Sequence, residues 1–257
     1  MGTQFSSRLN ESDKQRILAG LRSAWKQSGP SEGRLTGPQR RRVADAQMRE
    51  LLAVAERHHF FDDFLKSPLF VDVFEWLVKL QSDARFNEFR NKIEEYGLAE
   101  TANPVAQLAQ ELRMLVDAEE SEKPDPFRAS LSTAARIVLS ETAARQVQGP
   151  AEESPAARFG RRLAASSLQD LVSRFVGAFI GEFFANLVSR ADPAMSEKLV
   201  SDAVTLSREG AERIGKRVVN RIEKEGKLNQ IQRIHEILVE ELQKVLDRQP
   251  SPVPAGD

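Results

Sequence analysis

Hydrophobic residues recur at helical spacing along most of the chain, and residues 168–188, LQDLVSRFVGAFIGEFFANLV, hold the densest group of them. At about 100° per residue, the bulky side chains of this stretch fall on one broad face and small or polar residues fall on the other. We expect a helix that packs its bulky face into one neighbour and lets a second helix approach its glycine groove. The two faces supply five candidate interface residues, namely Gly177, Gly181, Phe175, Phe179 and Phe183.

Capping residues followed by proline mark the beginnings of further helices. Serine, asparagine and aspartate accept hydrogen bonds from the first backbone amides of a helix, and proline is favoured at the first helical position. A capping box, Ser12 with Gln15, adds a helix that we expect to end near Gln27. A short helix is also expected to end at Gly97. The proline signals lie at Pro38, Ser67-Pro68, Asn103-Pro104 and Asp125-Pro126.

The second half of the chain has the pattern of three long helices. The first is predicted to run without a break from 157 to 191, the second from 192 to about 225, and the third from 231 to about 248. We expect the last two to form an antiparallel hairpin that packs along the first.

Composition divides these helices into two lobes. Residues 149–156, GPAEESPA, are rich in proline, glycine and glutamate and predict a linker. The linker separates an N-terminal lobe of about six helices, 11–148, from a C-terminal lobe of three long helices, 157–248. The ends, 1–10 and 249–257, are predicted to be disordered. The expected fold class is therefore an all-α, two-lobed helical bundle.

Charge and cysteine content narrow the function classes. The 257 residues include 37 Lys and Arg against 38 Asp and Glu, so no overall preference for a polyanion is implied. Cysteine is absent, which excludes disulfides and thiol chemistry and fits the cytoplasm, where we expect the protein to reside. The start MGTQFSSRLN has no apolar segment typical of a secretory signal. It does match the myristoylation pattern at Gly2, although we expect an unmodified start.

Two short motifs resemble catalytic sites without the context that such sites need. The pattern G-x-S-x-G at 29–33 follows a predicted helix, whereas a nucleophile elbow follows a strand. Glu56 and His59 form an E-x-x-H, but a carboxylate-bridged di-metal bundle needs this motif twice. We therefore expect no enzyme activity, no cofactor and no metal.

A basic stripe on the helix 192–225 is the strongest electrostatic feature. Its side chains fall within roughly 140° of arc and could follow a phosphate backbone or anionic lipid. Interspersed glutamates dilute the stripe, so a solvated face with intrahelical ion pairs and an acidic protein partner are the alternatives. The candidate phosphate-binding residues are Arg213, Lys216, Arg217, Arg221, Lys224 and Lys227.

Three functions are compatible with these patterns. The leading hypothesis is a non-catalytic scaffold or interaction subunit that self-associates or binds partner proteins through the C-terminal lobe. The second is a nucleic-acid-binding accessory protein that uses the basic stripe, with the arginines at 40–42 as a second contact. The third is a membrane-active effector that releases its apolar helix. Asp170, Arg174 and Glu182 interrupt that helix, so we do not expect it to span a membrane.

Overall fold

The computed structural model describes residues 37–57, 67–85, 89, 93–98, 101–117, 126–150, 152–191, 197–226 and 231–247, together with positions 12, 15 and 19. Within these residues the chain is all-α, without strands, as the hydrophobic pattern predicts. Positions 12, 15 and 19 of the first predicted helix are helical, while its other residues, both termini, the G-x-S-x-G pattern, His59 and Lys227 lie outside the described residues. The helices are α1 (Gly37–Arg57), α2 (Pro68–Arg85), α3 (Pro104–Asp117), α4 (Pro126–Ala143), α5 (Pro155–Ala164), α6 (Leu168–Ala191), α7 (Glu197–Glu225) and α8 (Ile231–Asp247).

Proline and its capping residue place the helix starts correctly. Helices α2, α3 and α4 begin at the predicted prolines, and Pro38 lies in the first turn of α1. Asn103 caps α3, because its Oδ1 accepts a hydrogen bond of 3.2 Å from the amide of Ala106. The short helix that we expected to end at Gly97 is not found, because residues 93–97 form turns. Gly97 itself has a φ of +63°.

The continuous helix predicted from 157 to 191 is wrong. Two helices occupy this stretch, and the chain breaks between α5 and α6 at residues 165–167. Ser167 begins α6 by accepting a 3.0 Å hydrogen bond from the amide of Asp170, and Ser154 caps α5 in the same way through Ala157. Apolar spacing continues across the break, so the pattern could not show it. The serine hydroxyls supply the alternative acceptors that begin a new helix.

Helix α6 lies at the centre of the core, between α4 and α7. Its bulky face meets aromatic rings of α2 and α4: the ring centroids of Phe70 and Phe175 are 5.5 Å apart, and those of Phe127 and Phe179 are 5.4 Å apart. Edge and offset ring contacts of this kind add to the burial of apolar area. Helices from both sides of 149–156 contribute to this core. The division into two lobes stays a prediction.

The small face of α6 is covered by α7. A Cβ atom on Gly177 would lie 3.1 Å from the Cα of Glu212, and one on Gly181 would lie 3.2 Å from the Cα of Arg208. The expectation that a second helix approaches this groove closely is confirmed, and that helix belongs to the same chain.

The antiparallel hairpin of α7 and α8 is confirmed, but its place differs from the prediction. Pairs such as Glu225 with Arg233 and Arg217 with Glu241 show that the two helices run in opposite directions. Of the two hairpin helices, only α7 packs along α6. Helix α8 packs against α7, α1 and α2. Apolar stripes show that a helix is buried on one side, but they do not identify the neighbour.

Arg158 and Arg161 of α5 contact the segment that includes the predicted linker, and Arg161 makes most of these contacts. Arg161 donates through Nε to Glu153 Oε1 at 3.2 Å and through Nη1 to the carbonyl of Val147 at 3.3 Å. It also donates to the carbonyl of Gln148. Helix α5 itself begins at Pro155, inside the segment that composition assigned to the linker.

Candidate functional site

The three arginines of the predicted phosphate-binding stripe are paired with carboxylates of the same chain. Arg213 reaches Asp45 of α1 at 2.6 Å, which links α7 to the first helix. Arg217 reaches Glu241 of α8 at 3.1 Å, and Arg221 forms ion pairs with Glu225, Glu240 and Glu241. The arginines of the stripe therefore face two different neighbours and do not line one open surface.

Glu241 is the buried carboxylate at the centre of this network. Only 6% of the residue is exposed, and Lys244 donates to it at 2.6 Å. Burial by itself raises the pKa of its carboxyl group, but hydrogen bonds and positive charge from Lys244 and Arg217 outweigh burial and lower the pKa overall. Glu241 is thus ionised near neutral pH and offsets the charge of the arginines beside it.

Two lysines of the stripe have a different environment. Lys216 and Lys224 are exposed, and within the described residues neither ammonium group lies within 4.0 Å of a carboxylate. They lie two helical turns apart on α7, so they do not form a compact patch. Of the arginines at 40–42, Arg40 pairs with Glu209 of α7 through a 2.9 Å bond, Arg41 is exposed, and the side chain of Arg42 is outside the described residues.

The five candidate interface residues lie inside the chain. Phe175, Phe179 and Phe183 are at most 1% exposed, and both glycines contact α7. The large phenylalanine side chains and the small glycines thus pack α6 against its neighbours. A contact between separate chains through these residues stays a prediction.

A charged cleft lies where the end of α4, the first turns of α6 and the middle of α7 meet. Its volume is about 520 Å³. The cleft is lined by both acidic and basic groups. Ser173 of α6, which is 7% exposed, also lines it. The charged residues that line it are Glu141, Arg145, Asp170, Arg174, Glu212 and Lys216.

One wall of the cleft is internally paired. Asp170 accepts from Arg174 Nε at 2.9 Å and forms an ion pair with Arg145, and Arg174 also reaches Glu141 at 3.4 Å. Burial lowers the pKa of the Arg145 guanidinium, and the positive charge of Arg174 lowers it further. Two guanidinium groups thus share the carboxylate of Asp170 between them.

The opposite wall, on α7, is not paired in this way. Within the described residues, neither Glu212 nor Lys216 forms an ion pair. The Cγ atom of Glu212 lies over Gly177, where a Cβ atom would stand 2.8 Å from it. The cleft thus offers one acidic and one basic side chain that are free to contact a ligand.

Sequence reasoning identified Lys216 but did not identify the cleft. Its residues come from three helices and from the segment after α4, and they are as much as 75 positions apart, from Glu141 to Lys216. Charged residues at such separations carry no periodic signal, because their proximity depends on how the helices pack.

The described part of the chain holds few side chains suited to catalysis. No group of three or more His, Cys, Asp or Glu side chains there is placed to hold a metal ion. His235 is buried, and its ring stacks on Phe70 at 5.1 Å between centroids. Nor does any described helix combine the length and apolar character needed to cross a membrane.

Comparison with known proteins adds no relative. No protein-family model matches the chain, and no curated protein or solved structure is significantly similar to it.

Proposed function

We propose that the protein is a non-catalytic helical interaction subunit of the cytoplasm that binds a partner protein, or a second copy of itself, through residues 157–248. The observation that supports this proposal is the pairing of the α7 arginines with carboxylates of the same chain. Binding to a polyanion draws on uncompensated positive charge. Protein partners are recognised through surfaces that carry both signs of charge, and the α7–α8 face has that character.

Two exposed carboxylates of this face lie on α8. The side chains of Glu236 and Glu240 are 56% and 43% exposed, and both contact Arg233. Ion pairs at exposed positions contribute about 0–1 kcal/mol to folding. Glu240 also pairs with Arg221, so a variant that reverses these charges to probe binding is first shown by its melting curve to fold.

The proposal is tested by measuring complex formation with the full chain. Light scattering over a range of concentrations reports self-association, and affinity capture from the native cells reports a partner. We expect the variant Glu236→Lys/Glu240→Lys to weaken the complex by about tenfold or more, equivalent to about 1.4 kcal/mol. Glu75→Lys, an exposed position on α2, is the matched control and should leave it unchanged. A strictly monomeric mass with no captured partner contradicts the proposal.

The exposed lysines Lys216 and Lys224 favour a second candidate, a nucleic-acid-binding accessory protein. This function predicts duplex or single-stranded binding that weakens steeply with salt and is lost in Lys216→Glu/Lys224→Glu. Failure to shift DNA or RNA at low salt excludes it. A membrane-active effector requires α6 to leave both α4 and α7, and we do not propose it.

A further inference from the structure

The charged cleft between α4, α6 and α7 has the dimensions of a ligand site. Its volume of about 520 Å³ falls within the range of small-molecule pockets, about 300–1,000 Å³. Its walls are rigid, because α6 and α7 touch through their backbones at Gly177 and Gly215. Three helices thus fix the backbone positions from which the charged side chains extend.

The charges of the cleft select the class of ligand. A simple anion that approached Lys216 would also meet the carboxylate of Glu212, one turn away on the same helix. A simple cation at Glu212 would meet Lys216 and the guanidinium of Arg174. A ligand that carries both an ammonium and a carboxylate group satisfies the two free side chains together.

The spacing of the two free side chains narrows the class further. The Cα atoms of residues four apart on a helix are about 6 Å apart along the axis, and the two side chains extend into the cleft from that spacing. The two ends of an extended dipeptide are about 7 Å apart, at roughly 3.3–3.6 Å per residue. We propose that this cleft binds a short peptide with free termini, its carboxylate at Lys216 and its ammonium group at Glu212. Ser173, on the α6 wall of the same cleft, is the hydroxyl-bearing residue among those that line it.

This inference stands on the cleft alone and does not depend on the proposed partner protein. Its probe is glycylglycine, added to the full chain and followed by calorimetry and by the chemical shifts of labelled backbone amides. N-acetylglycylglycine lacks the ammonium group and glycylglycine amide lacks the carboxylate. We expect glycylglycine to bind and to shift the amides around Ser173 and Lys216, and both blocked peptides to bind about tenfold more weakly or worse.

Variants of the free side chains test the placement. Lys216→Gln and Glu212→Gln should each weaken glycylglycine binding by about tenfold. Lys224→Gln and Glu223→Gln are the matched controls, because they are exposed on the same helix outside the cleft, and they should leave binding unchanged. All four are surface changes, and melting curves without peptide verify that each variant folds.

Three results overturn the inference. The first is no detectable heat or shift with glycylglycine up to about 50 mM, the weak end of measurable affinity. The second is equal binding of either blocked peptide, which would show that one charge suffices. The third is unchanged affinity in Lys216→Gln, which would place the peptide elsewhere on the protein.

Discussion

Gly215 of α7 lies so close to Ser173 of α6 that a Cβ atom on Gly215 would stand 2.7 Å from the Ser173 carbonyl oxygen. The neighbouring atom belongs to the backbone, so a side chain at this position can be accommodated only if the two helices move apart. The cleft described above lies beside this contact, because Ser173 and Lys216, the residue after Gly215, line its walls.

Gly215→Ala should destabilise the protein although alanine favours helices more than glycine does. Overpacking against backbone costs about 1–3 kcal/mol, which exceeds the helix-propensity gain of about 1 kcal/mol. Urea denaturation measures the difference. Gly37→Ala is the control, since no atom lies within 4 Å of its Cβ position, and it should be neutral or stabilising. Equal stability of the Gly215 variant and wild type would show that α6 and α7 separate easily.

Gly177→Leu and Gly181→Leu should unfold the monomer before they affect any assembly. Each new side chain would collide with the backbone of α7 near Glu212 or Arg208, at a cost of about 1–3 kcal/mol or more per site. Light scattering and circular dichroism, recorded together, separate the two effects. A variant that keeps its melting temperature but loses an oligomer would instead support the prediction that these glycines join separate chains.

Tyr96 should make folding sensitive to alkaline pH. Burial, followed by the hydrogen bond that its hydroxyl donates to Asp83, raises the pKa of Tyr96 well above its ordinary value. The folded protein therefore keeps the proton at a pH where the unfolded chain, with a pKa of about 10, has released it. Stability is fully present below about pH 10 and falls as the pH rises beyond it.

Tyr96→Phe removes this titration. Because it leaves the buried Asp83 without that donor, it should cost about 1–3 kcal/mol near neutral pH. Between pH 9 and 11, however, the variant should lose less stability than wild type does, as measured by denaturant midpoints. The same loss in both proteins would assign the alkaline sensitivity to other groups.

Arg161→Ala should release the segment 147–153 from α5. The variant removes the donors to Glu153 and to the carbonyls of Val147 and Gln148, and we expect a loss of about 1–3 kcal/mol. Limited proteolysis should then cut the segment faster. Arg158→Ala is the matched control, since this neighbour is exposed and donates only to the Glu153 carbonyl among the described contacts. If both variants resist protease equally, Arg161 does not hold the segment.

Local chemistry in the sequence was sufficient to place most described helices. Asn103 before Pro104 predicted the start of α3, and Gly226, with a φ of +66°, follows the predicted last residue of α7. These features depend on residues within one helical turn. The same local reasoning missed the break before Ser167, since an N-cap serine inside a continuous apolar pattern resembles an ordinary polar position.

The alternation of large and small residues on α6 also determined that two different neighbours would pack against it, because the shape of each face follows from helical geometry alone. The identity of those neighbours depended on tertiary packing, and so did the state of the charges. In the sequence Arg217 is one basic residue of the stripe, but in the fold it pairs with Glu241, 24 positions away on another helix. Lys216, the residue beside it, faces the cleft. Electrostatic interactions act through space, so adjacent residues on one helix acquire different roles only when the other helices are in place.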